Sequence, residues 1–218
     1  MSREKIQTVL KRITAEPPLE ARWLNTLSLL EFVGARKISR TVADRHPTLE
    51  VLAHLADETR HAMAFKRLAC EVAGGEVSEY LCPQEAATYF QTLDRELAAW
   101  ATQALGHEDV KLNYLLTTTI VEQRAMLMYP LYKAATHQAS VRTELGKVVT
   151  EEQSHRLDIE ETCKLRLAQA GVSDLSAPRA IEERLFGAFL SALEREVSSP
   201  APQPDALPRQ PLERLQRV

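Results

Sequence analysis

Four stretches of this chain place apolar residues at the three- and four-residue spacing of an α-helix, and each sets a glutamate in the middle of that apolar face. The first face reads Leu24, Leu27, Glu31, Ala35, Ile38. The second reads Val51, Leu55, Glu58, His61, Phe65, Leu68, Val72. The third is Leu115, Thr119, Glu122, Met126, Tyr129, and the fourth Leu145, Val148, Glu152, His155, Ile159. An apolar face exists to be buried, and a lone buried carboxylate is costly, so any fold that packs these faces together must also neutralise their glutamates.

Composition favours helices as the scaffold. Seven glycines in 218 residues is under half the usual ~7%, too few for a phosphate-cradling loop or a sheet rich in tight hairpins. Six helical segments follow a short amphipathic start over 3–14 that ends before Pro17-Pro18. They are expected over about 19–43, from Pro47 to Gly74-Gly75, from Pro83 to about 105, from the cap cluster His107-Glu108-Asp109 to about 137, over 141–170, and from Pro178 to about 197. Five prolines after Ser199 exclude a regular helix there, so 1–197 is read as one helical domain and 198–218 as a Pro-rich tail. That tail is read as flexible, with docking of Arg209, Arg214 and Arg217 on a neighbouring chain as the alternative.

A net charge of −3 offers no basic surface for nucleic acid, and no stretch of about 18 residues is free of charge, so no membrane span is expected. Cys70, Cys82 and Cys163 make no Cys-x-x-Cys pair, and the first residues lack a signal-peptide core. Reduced thiols and a cytoplasmic location are the expectation.

The pattern repeats. Glu31 precedes Glu58-Thr59-Arg60-His61 by 27 residues, and Glu122 precedes Glu152-Gln153-Ser154-His155 by 30. With 23 glutamates and six histidines, fewer than one Glu-x-x-His is expected by chance, so two matches alone say little. Their weight comes from lying on apolar faces, each after a helix with its own inward glutamate. Two antiparallel helix pairs would then present four carboxylates and two imidazoles to a common interior, the donor set of a two-metal carboxylate centre. The plain alternative is four separately satisfied polar residues in an ordinary bundle.

These residues resemble the ferritin-like di-iron carboxylate superfamily over about 19–170. The stretches DETRHAMAF (57–65), IVEQRAMLMYPLY (120–132) and EEQSHRLD (151–158) look most like its oxidase and oxygenase branch, near the aldehyde-deformylating oxygenases. The resemblance implies an all-α, ferritin-like four-helix bundle with additional helices, holding two iron ions, with manganese as the alternative. Glu31, Glu58 and His61 would hold mainly one ion and Glu122, Glu152 and His155 the other, with Glu58 and Glu152 bridging. It also implies that Asp57 supports His155 and Glu151 supports His61 from outside the metal shell, against a plainer reading of both as surface charges. The implied activity is an O2- or peroxide-dependent oxidase or oxygenase acting on a small or apolar substrate. It would be served by a separate electron donor, since no rubredoxin-type Cys-x-x-Cys is present, and is compatible with a homodimer. The other readings are an iron-handling or peroxide-detoxifying protein of ferritin or rubrerythrin type, and a non-catalytic helical interaction protein.

Several residues carry weaker signals. His54, one turn before Glu58, reads as a core histidine, with a role as extra ligand or supporting donor as the alternative. Tyr129 reads as core packing or as a pocket or redox tyrosine. Gly34 either leaves space beside the site or allows close helix packing, and Pro130 is expected to kink its helix.

Overall fold

The computed structural model describes residues 3–41 and 46–199, the side chains of Ser154, His155, Arg156 and Asp158 excepted. Beyond Ser199 the expected Pro-rich tail lies outside the described residues. The described chain is all-α: α1 (Arg3–Ile13), α2 (Pro17–Thr41), α3 (Leu49–Ala73), α4 (Pro83–Leu105), α5 (Val110–Ala135), α6 (Ala139–Gln169) and α7 (Ser176–Ser198).

The helix ends follow their capping chemistry. Pro83 takes the first turn of α4, and the Asp109 carboxylate caps α5 by accepting from Leu112 N–H. Gly74, Gly106 and Gly171 adopt left-handed φ values of 69°, 76° and 74° just past α3, α4 and α6. Helices α2 and α6 begin two residues before their expected starts, at Pro17 and Ala139, and two starts expected at a proline differ as well. Thr48, not Pro47, governs the entry to α3, because its hydroxyl accepts from Val51 N–H and the helix begins at Leu49. Helix α7 begins at Ser176, two residues before Pro178. Pro130 lies within α5, which is continuous through it.

Four helices close on one another: α2 packs along α3, α5 along α6, α3 touches α6, and α2 touches α5. Helices α4 and α7 pair as a second layer, and α1 lies against α5 and α7. The layers share an aromatic core, in which Trp23 of α2 stacks on Phe189 of α7 and meets Tyr132 of α5 edge-on. Tyr89 of α4 stacks on Phe189 and meets Phe186 at its edge. No helix among the described residues is long and apolar enough to cross a membrane.

The loop between α3 and α4 is stitched to α2 by side chains. Thr26 Oγ1 accepts from Leu81 N–H at 2.8 Å and donates to the Leu81 carbonyl at 2.9 Å. Asn25 donates to the Glu79 carbonyl at 2.7 Å while Lys66 donates to Asn25 Oδ1 at 2.8 Å. At the loop's end Cys82 has φ 48°, and Glu196 of α7 accepts from both its N–H and its thiol. Because Leu81 and Thr26 are fully buried, the near-isosteric Thr26→Val substitution strands both backbone groups of Leu81. We expect a loss of about 1–3 kcal/mol, read as a lower urea midpoint at unchanged slope; an unchanged midpoint would refute this role for the loop.

Candidate metal centre

The four glutamates of the apolar faces converge. Glu31 on α2, Glu122 on α5 and Glu152 on α6 are buried, and Glu58 on α3 keeps 14% of its side chain exposed. One ligand atom each from Glu31, His61 and Glu152 lies within 4.8 Å of the other two. His61 is 1% exposed. Its Nδ1 stands 3.2 Å from Glu152 Oε1 without hydrogen-bond geometry, and its Nε2 is hydrogen-bonded to Glu151 at 2.9 Å. Glu151 is clamped in turn by Arg60 at 2.9 Å.

Glu58 approaches the backbone of α2 at Gly34, where an added Cβ would stand 2.9 Å from Glu58 Oε2. Gly34 therefore serves close approach of a carboxylate rather than open space. The same carboxylate is hydrogen-bonded through Oε1 to His54 Nε2 at 3.1 Å. His54 Nε2 also lies 3.7 Å from Glu122 Oε1, and His54 Nδ1 is hydrogen-bonded to the Tyr114 hydroxyl at 2.7 Å. Tyr129 donates to Glu31 Oε1. Asp57 is paired with Arg60 on its own helix at 2.5 Å. The side chain of His155 lies outside the described residues, so its expected partnership with Asp57 does too.

Electrostatics show what this convergence costs. Burial, then the charges of Glu58 and Glu152, push the Glu31 carboxyl well above its ordinary range. Burial and Glu152 push Glu58 up to about 7. Burial alone would lower His61, but Glu152, Glu31 and Glu151 outweigh it and hold its imidazolium to about 9. Burial and Glu31 likewise raise the Tyr129 phenol.

Two other buried carboxylates make the contrast plain. Glu20 accepts from Tyr132 at 3.1 Å and from Thr136. Glu182 accepts two bonds from Arg124, at 2.8 and 2.6 Å, and one from Tyr89 at 3.0 Å. Neutral or cationic donors satisfy both. Glu31, Glu58 and Glu152 face one another instead, and no described donor reaches the buried Glu152 Oε2. A divalent cation would complement such a set, since mixed carboxylate and imidazole donors suit first-row divalent metals.

A cavity of about 90 Å³ opens onto this cluster, bordered by Glu31, Glu58, Glu122 and Glu152 on one side. Its remaining wall is largely apolar and includes Leu27, Ile38, Phe90, Val121, Met128 and Phe186. Arg124, over the Phe186 ring at 4.3 Å, and Lys37, paired with Asp94, interrupt that wall. Sequence reasoning did not single out Tyr114, Arg124 or Glu182, none of which carries a spacing signal.

Compared with protein-family models, curated proteins and solved structures, the chain matches none.

The cluster sets the direction of a pH dependence in metal-free protein. Carboxyls raised on folding, Glu58 from 4.5 to about 7 and Glu31 in the same direction, bind protons more tightly in the folded chain. Their contribution is lost as pH rises from 4.5 through the folded value. His61, raised from 6.5 to about 9, contributes stability that is full below 6.5 and lost as pH climbs through 9. Both slopes share one sign and outnumber the opposing one of His54, whose imidazole is lowered by burial, so the urea midpoint of chelator-treated protein should fall between pH 5 and pH 9. Saturating divalent metal should flatten that fall, and a midpoint that rises with pH would contradict the like-charge account. A separate expectation concerns Gly34→Ala, which must displace Glu58 and should lower divalent-metal affinity by about tenfold, the low end for disturbing a supported metal shell. Calorimetric titration with Zn(II) checks it, and unchanged affinity would contradict it.

Proposed function

We propose that this chain is a di-metal carboxylate protein of ferritin-like four-helix-bundle architecture, acting as an O2- or peroxide-dependent oxidase or oxygenase on a small apolar molecule. The observation that carries the reading is the convergence of Glu31, His61 and Glu152, with Glu58 beside them, in a buried interior where no described donor reaches Glu152 Oε2. Glu31, Glu58, His61, Glu122 and Glu152 would hold the metals. His155 joins them on its Glu-x-x-His spacing alone. Iron is the metal proposed and manganese the alternative.

Bound there, a redox-active metal pair supplies electrons for reducing O2 or peroxide, replenished by a separate electron donor. The chain's own residues set the conditions. Glu151 fixes the His61 ring so that Nδ1 faces Glu152. The Tyr129 hydroxyl holds a proton at Glu31 Oε1. Val121, Met128 and Phe186 keep the cavity beside the carboxylates apolar, which binds an apolar substrate and limits water. That cavity favours a small-molecule substrate over iron handling alone. Three free cysteines support a reducing compartment such as the cytoplasm.

The test is metal uptake. After anaerobic loading with Fe(II) and desalting, about two irons per chain are expected, and fewer than about one in Glu152→Ala. Addition of O2 should consume O2 without further iron accumulating. Many irons per chain would establish iron storage instead, and none would leave a helical interaction protein.

A further inference from the structure

His54 is absorbed by none of the roles above, yet it is 3% exposed and borders the same cavity as the carboxylates. Its ring bridges two helices. Nε2 stands 3.1 Å from Glu58 Oε1 on its own helix, α3, and 3.7 Å from Glu122 Oε1 on α5. Two donors at right angles on an ion with bonds of about 2.1 Å stand about 3.0 Å apart, and opposite donors about 4.2 Å. Both His54 separations fall close to or within that interval.

The far side of the ring points the same way. Nδ1 is hydrogen-bonded to the Tyr114 hydroxyl at 2.7 Å, and both side chains are buried. A histidine that binds metal through one nitrogen characteristically has its other nitrogen held by an oxygen, which fixes tautomer and ring orientation. His61 shows the same two-sided arrangement, with Nε2 on Glu151 and Nδ1 facing Glu152. A histidine that merely supports a ligand would turn a nitrogen to the outer side of that ligand. Here Nε2 lies between carboxylates from two helices.

We propose that His54 is itself a metal ligand, donating Nε2 to the ion shared by Glu58 and Glu122, with Tyr114 as its positioning residue. This rests on the metal reading given above and divides the donors differently from the sequence pattern. Glu31, His61 and Glu152 gather about one position, and His54, which stands within 3.7 Å of both Glu58 and Glu122, would join those two carboxylates at a second. Ligation through Nε2 requires the proton on Nδ1, where the Tyr114 oxygen accepts it.

Zn(II) serves as the probe. Calorimetric titration of the full chain should show two sites, and His54→Gln should leave one intact while weakening the other by tenfold or more. Tyr114→Phe should weaken that same site by a smaller factor. Because His54→Gln could act through folding, histidine 15N spectra of the unsubstituted chain provide an independent readout. On Zn(II) addition the His54 Nε2 resonance should move to a metal-bound position and Nδ1 should become protonated. An unmoved His54 Nε2 in a chain that binds two ions, or His54→Gln binding both with unchanged affinity, would overturn the assignment and leave the di-metal reading standing. A chain that takes up no Zn(II) would remove both.

Discussion

Mutual repulsion among buried carboxylates is the constraint on which the rest of this structure turns. Glu31, Glu58 and Glu152 come from three helices that already pack through apolar faces, and packing those faces brings the charges together. Burial and proximity lift the carboxyls of Glu31 and Glu58, so in metal-free protein the cluster retains protons that an exposed carboxylate would release. His61 becomes cationic in response. An arrangement that works against its own stability in this way is expected where function, rather than packing, selects the residues.

The surrounding helices hold that arrangement in place. Trp23, Tyr89, Phe186 and Phe189 join α2, α4 and α7 in one aromatic core. Thr26 and Asn25 anchor the α3–α4 loop to α2. Gly34 lets Glu58 approach the α2 backbone. Second layers of hydrogen bonds run outward from the histidines, through Glu151 to Arg60 and through His54 to Tyr114. Each limits the positions available to an inward-facing donor.

Much of the fold was readable along the chain, because a helix repeats its surroundings every three to four residues and Gly, Pro and Asp mark its ends. Pro83 and Asp109 open α4 and α5 as expected. Pro47 and Pro178 misled because Pro47 precedes the cap residue of α3, and Pro178 is the third residue of α7 rather than its first. Burial of the Glu31, Glu58, Glu122 and Glu152 faces was likewise legible. Burial by itself was not diagnostic, as Glu20 and Glu182 show. Both are buried carboxylates with ordinary partners, and only the identity of those partners separates them from the cluster.

The spacing of apolar residues determined that the chain would be helical, which faces would turn inward, and that four glutamates and His61 would ride on them. Those properties are local, since helix geometry fixes where each side chain points relative to its neighbours. Tertiary structure alone decided which further side chains meet across helices: His61 with Glu152, Tyr129 with Glu31, Arg124 with Glu182, and His54 with Tyr114 and Glu122. Such pairings depend on the rotation and offset of one helix against another. Those are set by the packing of the whole interior, and no periodicity within a single helix encodes them.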